Sequence, residues 1–119
     1  LPPVVPHSDA VFNASRTALL TAAVISGDYE KLIHSLDDKL HQQYRKQYIK
    51  GLDEIFSAAK EFGAYGSYIS GAGPAIISVI NAAHEGRFSE KAKEFLAKRF
   101  AGWNFLMLEA DNTGAKILR

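Results

Sequence analysis

The sequence predicts an α+β fold of the ferredoxin-like type, a four-stranded antiparallel sheet with helices packed on one face. Three observations predict it. Apolar residues recur at helical spacing through the first half of the chain, and the period shortens to that of strands after residue 63. The strand-like runs there are joined by short turns, in the order helices, hairpin, helix, hairpin, which suits an antiparallel sheet. With 119 residues, 47% of them apolar and 23% charged, the chain fits one compact domain, 1–119.

Leu1-Pro2-Pro3-Val4-Val5-Pro6 reads as an extended lead-in. Ser8 is a good N-cap and Asp9 favours the first turn, so a helix is expected from there to Ile25. Val11, Ala14, Ala18 and Ala22 form its apolar stripe, widened by Phe12, Leu19 and Ala23, and Gly27 closes it. Asp28 caps a short second helix around Tyr29 to Leu36. Asp37 to Lys50 is polar; it permits helix, but its apolar residues are too sparse for a deep core. After Gly51, residues Leu52, Ile55, Phe56, Ala59 and Phe62 mark a helix that Gly63 ends.

Strands are expected at 64–70 and 75–80, linked by the turn Gly71-Ala72-Gly73-Pro74. Ser89 caps a helix to about Phe100, with Ala92, Phe95, Leu96 and Phe100 on one face. A third strand is expected at 103–109, a turn at Asp111-Asn112-Thr113-Gly114 and a fourth strand at 115–118.

Fourteen basic and thirteen acidic residues give a net charge of +1, which leaves no electrostatic footprint for nucleic acid or an anionic membrane. The absence of cysteine removes disulfides, thiolate zinc sites and thiol nucleophiles. No run approaches the ~18 apolar residues of a membrane span, and the first residues lack the basic start and apolar core of a signal peptide. A cytoplasmic location fits these features. A chain that opens on Leu and three early prolines reads as an excised or processed piece.

The sharpest local feature is Ser70-Gly71-Ala72-Gly73-Pro74. Two glycines one residue apart permit positive φ, and the amides between them can form an anion-binding concavity. A phosphate-binding loop of the Rossmann or P-loop kind needs a helix next, whereas a strand follows here, so a tight hairpin turn remains the alternative. Arg16 is the only charge between Asp9 and Asp28. It either snorkels to the surface or pairs with an acid, or it grips a ligand carboxylate or phosphate in bidentate fashion. Arg45 sits in the polar run, with His41 one helical turn before it. Asp37-Asp38 suits a cation or a helix cap. His7, His34, His41 and His84 lack metal-ligand spacing, and no serine-nucleophile elbow is present. Tyr65, Tyr68, Trp103 and Phe105 suit a core or an RNA-stacking sheet, and the charge balance favours the core.

The segments Asp9–Arg16 (Asp-Ala-Val-Phe-Asn-Ala-Ser-Arg), Asp38–Arg45 (Asp-Lys-Leu-His-Gln-Gln-Tyr-Arg), Ser70–Pro74 and Asp111–Ala115 occur in one order. In that order they resemble the C-terminal half of the homoserine kinases, within the GHMP kinase superfamily. The resemblance covers almost the whole chain. It implies ATP-dependent phosphorylation of the homoserine hydroxyl to O-phosphohomoserine, on the route to threonine. It implies that Arg16 and Arg45 hold the substrate carboxylate, with His41 beside them, and that Ser70, Gly71, Ala72 and Gly73 form a loop at the active site. Ala75 stands where a hydroxyl residue usually follows the loop, and Lys50 where a proline is common.

The family's ATP-binding loop, catalytic acid and magnesium ligands belong to an N-terminal half without counterpart in residues 1–119. ATP and Mg2+ are therefore expected in the full-length enzyme. This piece alone is expected to hold no catalytic residue, metal or cofactor and to be inactive. Its expected partners are homoserine and the N-terminal ATP-binding domain, with room for a homodimer. The competing reading is a stand-alone ferredoxin-like module that binds a small molecule for regulation.

Overall fold

The computed structural model describes residues 1–117. Helix α1 spans His7–Ser26, starting one residue before Ser8 with Pro6 as its N-cap and Asp9 in its first turn. Gly27, at φ +69°, turns the chain out of it. The expected stripe of Val11, Ala14, Ala18 and Ala22 faces outward, with Val11 53% exposed. Phe12, Leu19 and the fully buried Ala23 face the rest of the domain instead. Two apolar faces of one helix share the same period, and tertiary packing selected the one bearing the larger side chains.

A single 3₁₀ turn at Tyr29–Lys31 leads into α2 (Leu32–Ser35), the short second helix of the sequence reading. Asp28 does not cap it; its carboxylate pairs with Lys31 at 2.7 Å. The polar run forms one turn of helix, α3 (Gln42–Arg45), followed by a 3₁₀ turn at Lys46–Tyr48. Gly51 then adopts φ +79°, with the Phe100 ring occupying the space a side chain would need. Helix α4 (Leu52–Glu61) buries Leu52, Ala58 and Ala59, with Ile55 and Phe56 half-buried, close to the face its spacing marked.

Strands β1 (Gly66–Ile69) and β2 (Ile76–Val79) pair antiparallel, with Gly66 opposite Val79 and Ile69 opposite Ile76. Gly66 gives α2 room: a Cβ there would lie 3.2 Å from the Leu32 carbonyl oxygen. Asn81 caps a 3₁₀ turn at Ala82–His84 that runs straight into α5 (Glu85–Arg99). This helix thus starts before Ser89, because the cap is supplied upstream. Its Phe88 and Ala92 pack with Ala59 and Ala64, and Leu52, Ile49 and Ile69 form a second cluster under the hairpin.

The fold is helix-rich, with five α-helices and one two-stranded sheet among the described residues, which overturns the four-stranded ferredoxin-like expectation. Residues 103–109 do alternate as a strand would: Trp103, Phe105 and Met107 are half-buried, whereas Leu106 and Leu108 are 75% and 80% exposed. Alternation specifies only an extended chain with one face covered. A ladder also needs a neighbouring edge, and none is paired with this segment among the described residues. The turn at 111–114 is present, with Asp111 Oδ1 accepting the Thr113 amide at 2.7 Å. Residues 115–117 carry no strand, and residue 118 of the expected fourth strand lies outside the described residues. No described helix is long and apolar enough to cross a membrane.

Candidate functional site

The loop after β1 is built by its glycines. Gly71 and Gly73 take φ +57° and +81°, and the Gly73–Pro74 bond is cis. The Ser70 amide bonds to Ala75 O at 2.9 Å and the Gly73 amide to Ser70 O at 3.0 Å, closing the loop on itself. A Cβ on Gly73 would lie 2.8 Å from Ile49 Cδ1 and 3.2 Å from Ile69 Cγ2, so a side chain there must displace buried Ile49; Gly71 has open space around it. Gly71 and Ala72 are exposed at the tip.

Two side chains from α3 tie the loop to the polar segment. Buried Gln42 accepts the Ile69 amide through Oε1 at 2.7 Å and donates Nε2 to the Leu36 carbonyl at 3.2 Å. Arg45 donates Nη1 to the Ala72 carbonyl at 3.0 Å. The sequence thus set Arg45 and the loop 27 positions apart, and the fold brings them into contact.

On α1, the Arg16 guanidinium lies 4.4 Å from the Phe12 ring centroid. Lys39 Nζ lies 4.7 Å from the same centroid and 3.7 Å from Asp9 Oδ1. Arg16 and Lys39 thus share the Phe12 ring. Neither Arg16 nor Arg45 forms an ion pair with a carboxylate among the described residues. Arg16 Nε, Arg45 Nε and His41 Nδ1 are buried without a hydrogen-bond partner among them. Leaving a buried guanidinium Nε donor unpaired costs about 1–3 kcal/mol.

Asp38 links the start of α3 to α1. Its Oδ2 accepts the His41 amide at 2.7 Å and the Gln42 amide at 2.6 Å, and its Oδ1 accepts Asn13 Nδ2 at 2.7 Å. Asn13 Oδ1 in turn accepts the Lys39 amide at 2.8 Å. The His41 Nε2 lies 4.0 Å from Asp38 Oδ2. Burial pushes the Asp38 carboxyl up, but the amides of Gln42 and His41, the Asn13 carboxamide and the nearby imidazole outweigh it, and the group titrates below the usual aspartate range.

Of the two roles that suited Asp37-Asp38, Asp38 takes the cap. No group of three or more His, Asp or Glu side chains positioned for a metal exists among the described residues. Asn13, Lys39 and Gln42 went unmarked as site residues. A buried glutamine inside a polar run gives no periodic signal, and the Asn13–Asp38 bond spans 25 positions. What the arrangement offers chemically is the Arg45 guanidinium anchored on the glycine loop and the Arg16 guanidinium on α1, each with its Nε unpaired among the described residues.

Residues 20–98 match the family model described as GHMP kinases C terminal. Homoserine kinase of Clostridium beijerinckii is 44% identical over 118 residues, covering 99% of this chain and 39% of that protein. Homoserine kinase of Caldicellulosiruptor bescii is 42% identical over 119 residues, covering 98% of this chain and 38% of its own length. A crystal structure of homoserine kinase from Cytophaga hutchinsonii superposes with a TM-score of 0.73 at 28% identity, over 83% of this chain and 32% of that one. The chain thus spans about two fifths of the length of the curated relatives it matches.

Proposed function

The chain belongs to the GHMP kinase C-terminal family, and from that premise we propose that it is the substrate-side domain of a cytoplasmic, ATP-dependent homoserine kinase. Arg16 and Arg45 bind the homoserine carboxylate, with His41 beside them, and the Ser70–Gly73 loop borders the amino acid. The observation that carries this reading is Arg45, bonded to Ala72 O yet keeping an unpartnered Nε and no acidic partner among the described residues. A planar guanidinium with free donors suits a carboxylate better than any other group in an amino acid.

In the reaction, the homoserine hydroxyl oxygen bonds to the γ-phosphorus of ATP, the bond to the ADP oxygen breaks, and the hydroxyl proton departs. Most of the catalytic task is positioning and neutralising the triphosphate. That task is assigned to the N-terminal ATP-binding domain of the full kinase, of which this chain is the partner. This chain binds and orients the amino acid, and by itself it is inactive. The product, O-phosphohomoserine, feeds threonine synthesis.

Calorimetry of the chain with L-homoserine, L-threonine, ATP and the amino alcohol that lacks the carboxylate tests this. Binding of L-homoserine without the amino alcohol or ATP is expected. L-threonine binding with no response to L-homoserine would instead favour a regulatory module.

A further inference from the structure

Helix α3 is a single turn, too short to persist on its own hydrogen bonds. Something outside it must fix its position, and with it the direction of Arg45, its last residue. Asp38 supplies that tie from both ends of one carboxylate. Through Oδ2 it holds the His41 amide at 2.7 Å, and the His41 carbonyl receives the Arg45 amide at 3.0 Å. Through Oδ1 it reaches Asn13, one turn before Arg16 on α1. A helix cap needs only the first of these; the bond across 25 positions to α1 is surplus to capping.

We propose that Asp38 is a positioning residue whose carboxylate clamps α3 to α1, holding the Arg45 guanidinium on the Ala72 carbonyl and fixing its placement relative to Arg16. The role in homoserine binding rests on the function proposed above; the clamp itself does not. Asn13 makes the clamp reciprocal, because its own Oδ1 takes the Lys39 amide at 2.8 Å. The pair therefore has a defined inverse. With Asp38→Asn alone, the new carboxamide can still accept the two α3 amides but turns a donor toward the Asn13 donor. With Asn13→Asp added, that donor meets a carboxylate, whose second oxygen still accepts Lys39.

The test uses the 119-residue chain and heteronuclear NMR of the arginine Nε–H groups and the Ala72 amide, followed by titration with L-homoserine. In Asp38→Ala the Arg45 Nε–H and Ala72 signals should move and broaden while the core amides of Ala59 and Leu52 stay in place. L-homoserine affinity should fall about tenfold. The double variant Asn13→Asp/Asp38→Asn should restore both signals and affinity. A merely structural Asp38 would lower the thermal midpoint with the Arg45 and Ala72 signals unmoved, and that result overturns the proposal. So does a folded double variant that fails to restore them. If Asp38→Ala does not fold, Asn13→Ala, which leaves the α3 cap intact, should still displace the Arg45 signal; an unchanged signal is equally fatal. A wild-type chain that does not bind L-homoserine sinks the function, and the ligand-free signals still decide the clamp.

Discussion

The Arg45 guanidinium and the Ala72 carbonyl are joined by a 3.0 Å hydrogen bond across 27 positions of chain. One arginine therefore serves the loop with one nitrogen while its Nε has no partner among the described residues. Replacing Arg45 by Lys retains the charge and loses the planar fork. A charged hydrogen bond contributes about 1.5–3 kcal/mol, so L-homoserine should bind about tenfold to hundredfold more weakly. Calorimetry checks the affinity, and a shift of the Ala72 amide checks that the loop contact has gone.

Arg16→Lys should behave differently at the loop. Arg16 stacks on Phe12 rather than bonding to Ala72, so its loss should weaken L-homoserine by a similar factor with the Ala72 amide unchanged. In the full kinase the KM for ATP should stay as it was while homoserine kcat/KM drops. An equal fall in both substrates would place Arg16 outside the amino-acid site.

The two loop glycines make a graded pair. Gly71→Ala meets only the left-handed backbone at φ +57°, costing about 1–2 kcal/mol. Gly73→Ala meets φ +81° and the Ile49 side chain 2.8 Å away, so overpacking adds about 1–3 kcal/mol. Denaturant midpoints should fall in the order wild type, Gly71→Ala, Gly73→Ala. Equal midpoints for the two variants would contradict the close approach of Ile49.

Acid should loosen the Asp38 clamp. Its carboxyl titrates below the usual range, so the stabilisation is complete above the ordinary aspartate value of about 3.9 and is lost as pH falls through the lower folded value. Glu94 and Asp111 are shifted in the same direction by Lys98 and Thr113 and contribute acid sensitivity of their own. The comparison of wild type with Asp38→Asn isolates the clamp. Urea midpoints of the two proteins should differ above pH 5 and converge toward pH 3. A gap that stays constant with pH would remove the carboxylate charge from the account.

Hydrogen exchange should separate the real strands from the extended tail. The amides of Tyr68 and Ile69 should be protected, and those of Asn104, Leu106 and Leu108 should exchange rapidly, since no ladder partner faces them among the described residues. Both segments looked alike in sequence. The hairpin at 66–79 and the inner faces of α4 and α5 were legible because spacing and turn chemistry are local properties. Whether 103–109 finds an edge, and which face of α1 turns inward, depends on neighbours that spacing does not record. The arginines and the loop were legible as unusual residues. The Asn13–Asp38 and Gln42–Ile69 bonds were not, because polar partners far apart leave no periodic trace.

Gln42 has one more effect on the hairpin. Where β1 runs out, its carboxamide takes the Ile69 amide in place of a third strand. Strands slip in steps of one residue, and each step exchanges the two faces of the sheet. A slip here would carry Ile69, 2% exposed, out of its cluster and leave the Gln42 oxygen facing the wrong amide. The side chain thus works as a register lock. Slack cannot pass from the strand into the glycine loop, and the loop keeps its length.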